Sequence, residues 1–302
     1  AGRIQLCRFL IRRGFKIYPL YYAMVIATFA YYWHELTLQK AWPDLFFAQS
    51  YVMGYWHHFW SLAVEEQFYF ILPVAFIALA KFARPGREPF ARLPLYCAAV
   101  AVAALALRIT SLITPEAAVF RIIKPGHLRI DALSFGVLLA YFEHYRPAAL
   151  RRFTRDRGLL LAASVALLTP AVWLPQTHPL MYTAGLTALY VGFGGALLFA
   201  LQMKAGRITR ALASAGKYSY AIYLVHMPIS QWTASNLYPA AGKHVAFWAY
   251  VALSAGAGAV LSRIVEGPAL ALRERLFPMQ SVAGRPAAPA APRLAEPALV
   301  RP

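Results

Sequence analysis

Long apolar runs separated by short polar connections dominate this chain of 302 residues. Eight of these runs are long enough, at about 17–25 residues, to cross a hydrocarbon core of about 30 Å. Their continuity favours helices over barrel strands, since only helices and closed barrels satisfy every backbone polar group in lipid. The sequence therefore predicts an all-α, polytopic membrane helix bundle. The predicted spans are 17–34, 59–80, 93–114, 128–145, 158–175, 179–202, 212–234 and 244–264.

The end of the chain has a different composition. Residues 277–302 are rich in Pro and Ala and show no periodicity, which predicts a disordered tail without catalytic residues. The membrane domain is predicted to occupy residues 1–276. Because residue 1 is Ala rather than Met and no signal peptide precedes the first apolar run, we expect an N-terminal part to be missing.

The charge pattern predicts topology. A net charge of +18 is in isolation typical of a nucleic-acid binder. Here, however, Lys and Arg are concentrated in alternate connections, which is the positive-inside pattern and places both chain ends in the cytoplasm. No nucleic-acid partner is therefore predicted. The basic connections are 1–16, 81–92, 146–157 and 204–210.

Two other residue types bear on the class of protein. The two cysteines, Cys7 and Cys97, have neither metal nor redox spacing, and the adjacent His57 and His58 lack a second ligand pair, so no metal site is predicted. Aromatic residues cluster at the ends of the first span and predict an interfacial belt. The belt residues are Tyr18, Tyr21, Tyr22, Tyr31, Tyr32 and Trp33.

Two adjacent carboxylates, Glu65 and Glu66, lie inside the second apolar run. A charge at bilayer depth costs about 2.5–3.5 kcal/mol, so each is expected to face a partner, a cavity or a reacting group. On a helix Ser61 lies one turn from Glu65 on the same face, whereas Glu66 points about 100° away. The alternative is a helix that begins at the outer interface with both glutamates in water.

Arg129 and Asp131 begin the fourth span on the same predicted outer side as the glutamates. They are too close in sequence to share a helix face, so each is expected to pair with another helix, for example Arg129 with Glu65 or Glu66. The alternative is an acid that complements the helix dipole beside an arginine at the lipid head groups.

Two further candidates lie elsewhere. Arg12, Arg13 and Lys16 precede the first span on the predicted cytoplasmic side, and such cation clusters bind phosphate groups. The alternative is a positive-inside anchor on anionic lipid. His226 lies within an apolar run, where an ionisable side chain is a functional candidate or a helix-packing hydrogen bonder.

Four segments, in order and with fitting spacing, resemble signatures of acyltransferase family 3, the bacterial membrane sugar O-acyltransferases. Residues 60–69 read WSLAVEEQFY, similar to the family's WSLxVEEQFY, and residues 129–133 read RIDAL, similar to RxDAL. Residues 219–228 read SYAIYLVHMP, which resembles SYxIYLxHxP, and residues 263–268 end in a similar ExP. The resemblance covers about residues 5–276.

The resemblance implies an enzyme of the bacterial inner membrane without a bound cofactor. Such an enzyme moves an acyl group, most often acetyl, from a cytoplasmic acyl-CoA-type donor to a hydroxyl of an extracytoplasmic glycan or other saccharide. Family members typically have ten spanning helices. By that comparison the first two, together with a histidine taken as the catalytic base, have no counterpart here, and Lys16 stands where the family usually has Arg.

The resemblance also implies roles for individual residues. Carboxylates and Arg129 would form an outer catalytic site, with the basic cluster at the donor phosphates. Alternatives are a proton- or ion-coupled transporter and a membrane scaffold made inactive by truncation. Neither the glycan, the acyl group nor the oligomeric state follows from the sequence. The predicted catalytic residues are Ser61, Glu65, Glu66, Arg129 and Asp131, the donor-binding residues Arg12, Arg13 and Lys16, and the substrate-binding residues Trp60, Gln67, Tyr69 and His226.

Overall fold

Helices make up all of the regular structure in the part of the chain that the computed structural model describes. This confirms the predicted all-α class. The predicted disordered tail lies, from residue 279 onward, outside the described residues. The described residues are 6–34, 37–82, 88, 90–112, 123–175 and 177–278.

Within the described residues, each predicted span overlaps helical structure. Several helices join through short 3₁₀ or π turns, among them the turn His57–Phe59 that leads into the third helix. The helices are α1 (Leu6–Tyr31), α2 (Leu38–Leu45), α3 (Trp60–Lys81), α4 (Leu93–Thr110), α5 (Ile130–Tyr145), α6 (Pro147–Phe153), α7 (Arg157–Leu168), α8 (Pro170–Trp173), α9 (Leu186–Leu201), α10 (Arg207–Lys217), α11 (Ser219–Trp232), α12 (Tyr238–Leu261) and α13 (Gly267–Leu276).

Membrane spans can be recognised by length and apolarity. Within the described ranges four helical stretches qualify, and a fifth does if Pro147–Phe153 and Arg157–Trp173, bent by 77°, form one span. The chain is therefore a multi-pass membrane bundle, whereas a total of about eight spans stays a prediction. In particular, α5 has only 16 residues and rises about 24 Å.

The longest of these stretches, Ser219–Leu276, contains two helices that pack on each other. Gly242 interrupts it with a φ of 80° and a ψ of 170°, a conformation that glycine adopts without steric cost. Beyond this break α12 packs along α11. At the crossing a Cβ on Gly258 would lie 2.8 Å from the backbone nitrogen of Ile222, so only glycine permits this approach.

The largest apolar core joins α1, α3, α11 and the connection between α1 and α3. Tyr21 and Phe59 are fully buried in it, with ring centroids 5.3 Å apart. The belt prediction is therefore wrong for Tyr21, whereas Tyr31 and Trp33 are exposed as a belt requires. This core fixes the relative height of α1 and α3, and with it the position of the charged groups described next.

Candidate functional site

Arg13 on α1 is the centre of a charged cluster that joins α1 to α3. Its Nε donates to Glu66 Oε1 at 3.1 Å, and its Nη2 donates to Glu65 Oε2 at 3.4 Å. The guanidinium carbon lies 3.2 Å from the centroid of the Tyr69 ring, a cation–π contact. One arginine thus contacts two adjacent carboxylates that point in different directions from their helix.

The two carboxylates differ in exposure. The Glu66 side chain is only 3% exposed and also accepts a hydrogen bond of 3.1 Å from the Tyr18 hydroxyl. The Glu65 side chain is 47% exposed. Buried carboxylates with a complete set of partners hold their neighbours in place, so Glu66 fixes Arg13 while Glu65 remains accessible.

The helices bring together residues that the sequence assigned to opposite membrane faces. α1 and α3 run antiparallel, since Arg13 contacts Glu66 while Thr28, nearer the end of α1, accepts a hydrogen bond of 2.8 Å from Trp56. At 1.5 Å per residue, Arg13 and Glu66 lie about 9–11 Å from the start of their own helices. One residue of the predicted inner site, Arg13, therefore shares a charged cluster with the two glutamates of the predicted outer site.

A cleft of about 440 Å³ opens beside this cluster. Its wall combines a cation pair from α1, a carboxylate from α3 and hydroxyl groups from α3 and α11. A space of this size fits a small-molecule substrate. The lining residues are Arg13, Lys16, Ile17, Ser61, Leu62, Glu65, Ser219, Tyr220 and Tyr223.

Ser61 is tied to α11 rather than to a base. Its Oγ lies 2.8 Å from the Tyr223 hydroxyl, which itself donates to the His58 carbonyl. Because a tyrosine has one hydroxyl proton, Ser61 is the donor in the first bond. In the described part of the chain no base accepts the Ser61 proton, so the geometry favours a positioning role over a covalent one.

His226 lies on α11, close to this hydroxyl pair. Its Nδ1 is 2.6 Å from the Tyr223 carbonyl, which assigns the Nδ1 proton to that bond and leaves Nε2 as an acceptor. Its ring centroid is 4.8 Å from that of His58. His226 is absent from the cleft lining, and its predicted contact with substrate stays a prediction.

The three predicted donor-binding cations have separate environments. Arg12 forms an ion pair of 2.7 Å with Glu274 on α13 and donates to the Phe277 carbonyl. Arg13 is held by the two glutamates. Lys16 is exposed on the cleft wall, and no described carboxylate lies within ion-pair distance of it. Lys16 is therefore the member of the cluster best placed to meet a phosphate.

Arg129 forms no ion pair with either glutamate, so that expected pairing is wrong, whereas Asp131 pairs with another helix, as expected. The Asp131 carboxylate accepts from Arg108 Nη2 at 2.8 Å, with both side chains fully buried. Arg108 also donates to the Leu128 carbonyl at 3.0 Å and to Thr187 Oγ1 at 2.9 Å. The Arg129 guanidinium lies 5.7 Å from the Trp60 ring centroid. Asp131 therefore pairs with α4, whereas Arg129 reaches α3 at an aromatic ring rather than at a carboxylate.

The remaining predicted substrate contacts are mainly internal. Gln67 donates to the Phe47 carbonyl and to Ser50 Oγ, both at 3.0 Å, and so ties α3 to the connection that follows α2. Tyr69 lies against the Arg13 guanidinium, and Trp60 against Arg129. The structure therefore gives all three side chains packing partners within the protein.

Sequence reasoning missed three residues of this arrangement. Tyr18 was interpreted as part of an interfacial belt, although it binds Glu66. Tyr223 lies in a motif quoted for the family resemblance but was given no role. Arg108 carried a usable signal, because a single arginine inside an apolar run requires a buried partner. No group of three potential metal ligands occurs among the described residues.

Comparison with known proteins gives two matches and one negative result. A family described as an acyltransferase domain matches residues 2–264. The peptidoglycan O-acetyltransferase OatA of Listeria monocytogenes is 26% identical over 258 residues, which cover 75% of this chain and 40% of the relative. The chain thus spans about 40% of the length of that curated relative. No solved structure matches.

Proposed function

Because the chain belongs to the acyltransferase family that matches residues 2–264, we propose that it is a membrane O-acyltransferase. It transfers an acyl group, most simply acetyl, from a cytoplasmic acyl-CoA-type donor to a hydroxyl of an extracytoplasmic glycan. The observation that carries this proposal is the cleft in which Glu65, Arg13 and Lys16 meet. The peptidoglycan activity named for the Listeria relative supports a glycan as acceptor.

The chemistry follows from the exposure of each group. Glu65, the accessible carboxylate, takes the proton of the acceptor hydroxyl while the oxygen of that hydroxyl attacks the thioester carbonyl. Arg13 faces the same space and stabilises negative charge on the carbonyl oxygen in the tetrahedral intermediate. The carbon–sulfur bond then breaks and the thiolate leaves. Glu66 and Tyr18 keep Arg13 in position, so the arrangement needs no reorganisation during the reaction.

The single charged site accounts for transfer between compartments. A donor bound from the cytoplasmic side at Lys16 and an acceptor entering from the other side both need to reach one carboxylate at bilayer depth. The antiparallel contact of α1 with α3 supplies that meeting point. This topology assumes an inner-membrane protein with both chain ends in the cytoplasm.

Inverted membrane vesicles that contain the protein and its glycan acceptor test this function. Acetyl-CoA labelled in its acetyl group is supplied outside, on the former cytoplasmic face, and label on glycan is measured. We expect Glu65→Gln to lower kcat by about 10²–10⁴-fold, while Glu143→Gln, an exposed carboxylate on α5, leaves it unchanged. Movement of substrate without label on glycan would contradict the proposal and favour a transporter.

Lys16→Ala tests the donor assignment separately. It should raise the KM for acetyl-CoA more than it lowers kcat, because the lost phosphate contact is made in both the ground state and the transition state. Lys204→Ala, which removes an exposed lysine from another basic connection, is the matched control. An unchanged KM in Lys16→Ala would place the donor phosphates elsewhere.

A further inference from the structure

A second cavity of about 420 Å³ lies between α3 and α4, with α5 as its floor. Its walls are apolar, with Phe68 and Leu72 from α3, Val100 from α4 and Ile130 from α5. Exposed Phe82 lies at its rim, so the cavity is a groove that opens to the surface of the bundle. None of the cleft residues described above takes part in it.

One end of this groove is polar. Arg92 and Glu88 line it at the connection between α3 and α4. Glu88 Oε2 is bound by Arg146 at 2.7 Å, whereas Glu88 Oε1 is buried and has no hydrogen-bond partner among the residues that the structure describes. Arg92 is exposed and forms no ion pair with any described carboxylate. The mouth therefore offers an uncompensated cation and an unused acceptor next to an apolar channel.

We propose that this groove binds one acyl chain of a phospholipid from the inner leaflet. The lipid phosphate lies at Arg92, and a donor on its head group reaches Glu88 Oε1. Both requirements follow from the mouth, since an arginine binds a phosphate well and a buried acceptor is costly without a donor. Ethanolamine and glycerol head groups carry such a donor, and a choline head group does not.

The length of the groove agrees with this occupant. From Phe82 to Phe68 it follows α3 for about 21 Å, and half of the hydrocarbon core is about 15 Å thick. An acyl chain that starts at the head-group level therefore reaches the bilayer midplane within the groove. The basic connection 81–92 belongs to the predicted cytoplasmic side, which selects the inner leaflet.

Native mass spectrometry of the delipidated protein measures this binding directly. Phosphatidylglycerol, phosphatidylethanolamine and phosphatidylcholine with identical chains are titrated, and the affinity of the first bound lipid is compared. We expect phosphatidylcholine to bind about tenfold more weakly than the other two, and Arg92→Ala to weaken all three about tenfold. Ala75→Phe, on the groove wall, should remove the first site.

Val74→Phe is the matched control, because Val74 is exposed on the same helix outside the groove and the variant should bind like the wild type. Thermal unfolding checks that Ala75→Phe folds. If that variant is unfolded, the lipid affinity of Arg92→Ala, which changes an exposed side chain, tests the proposal instead. Equal affinities in the wild type and both groove variants would overturn the proposal. A dimer that carries no tightly bound lipid would also overturn it, because the groove would then be filled by a second copy of this chain.

Discussion

Replacing Arg108 by Met should destabilise the helix bundle by about 3–5 kcal/mol, because it leaves a buried carboxylate without its counter-charge. Arg108 and Asp131 are both fully buried, and their charged atoms are 2.8 Å apart. The variant also removes the hydrogen bonds that Arg108 donates to the Leu128 carbonyl at 3.0 Å and to Thr187 Oγ1 at 2.9 Å. For a chain of this size the loss corresponds to roughly 6–20 °C in Tm.

Removing both charges together should be much less harmful. In Arg108→Met with Asp131→Leu no charge remains in the apolar interior, and such replacements are often neutral or stabilising. We expect the double variant to recover most of the stability that either single variant loses. The coupling energy from the double-mutant cycle should therefore reach at least about 2 kcal/mol.

The measurement is thermal unfolding of the four proteins in one detergent, followed by the loss of helical circular dichroism. Glu143→Gln, which changes an exposed carboxylate on the same helix, controls for the change in net charge. A double variant as unstable as the less stable single variant would refute the reasoning, because the pair would then be held by more than mutual compensation.

The same variants decide the role of Asp131. Its carboxylate faces Arg108 and is absent from the cleft lining, so we expect acyl transfer by the double variant to follow its stability. Transfer that is lost in a stably folded double variant would instead assign Asp131 to the reaction.

Three further predictions concern single positions. Gly258→Ala should lower the stability of the bundle by about 1–3 kcal/mol, because the added methyl group overpacks against α11. Gly256→Ala is the control: its Cβ meets open space, so stability should stay unchanged or rise by up to about 1 kcal/mol. Equal melting temperatures of the two variants would contradict the close helix crossing. Tyr18→Phe should cost about 1–2 kcal/mol by removing a donor to a buried carboxylate, and Tyr22→Phe, which loses only an exposed bond to a carbonyl, less than about 0.5 kcal/mol. Burial raises the pKa of Asp44 above its usual 3.8. The folded state therefore binds this proton more tightly than the unfolded state does. As the pH rises from below 3.8, the wild type should lose stability relative to Asp44→Asn. A stability difference independent of pH would show that Asp44 titrates alike in both states.

The helix positions followed from the sequence because lipid leaves few alternatives. A continuous apolar run has to be helical in the bilayer, and each of the eight runs overlaps a helix. The boundaries were less predictable. α1 begins at Leu6 rather than near residue 17, since its charged first turns pack against α13 and the helix does not depend on lipid there.

The pairing of charged side chains did not follow from the sequence. Glu65 and Glu66 were rightly expected to need partners, but the sequence carries no information on which helix faces which. Arg129 lay on the same predicted side and was chosen for that reason. Arg13 was predicted on the opposite face from the positive-inside pattern, and that pattern carries no signal that α1 begins as early as Leu6 and brings Arg13 to the glutamates of α3.

The contact between Arg13 and the glutamates has a physical cause that also bears on the proposed function. An arginine packed between two helices is stabilised where carboxylates and an aromatic ring replace its hydration. Glu65, Glu66 and Tyr69 supply both. The same stabilising contacts leave one carboxylate exposed to a cleft, so the group available for proton transfer is next to a cation already held in place. A topology signal and the proposed catalytic arrangement are thus indistinguishable in the sequence, and only the packing of α1 on α3 separates them.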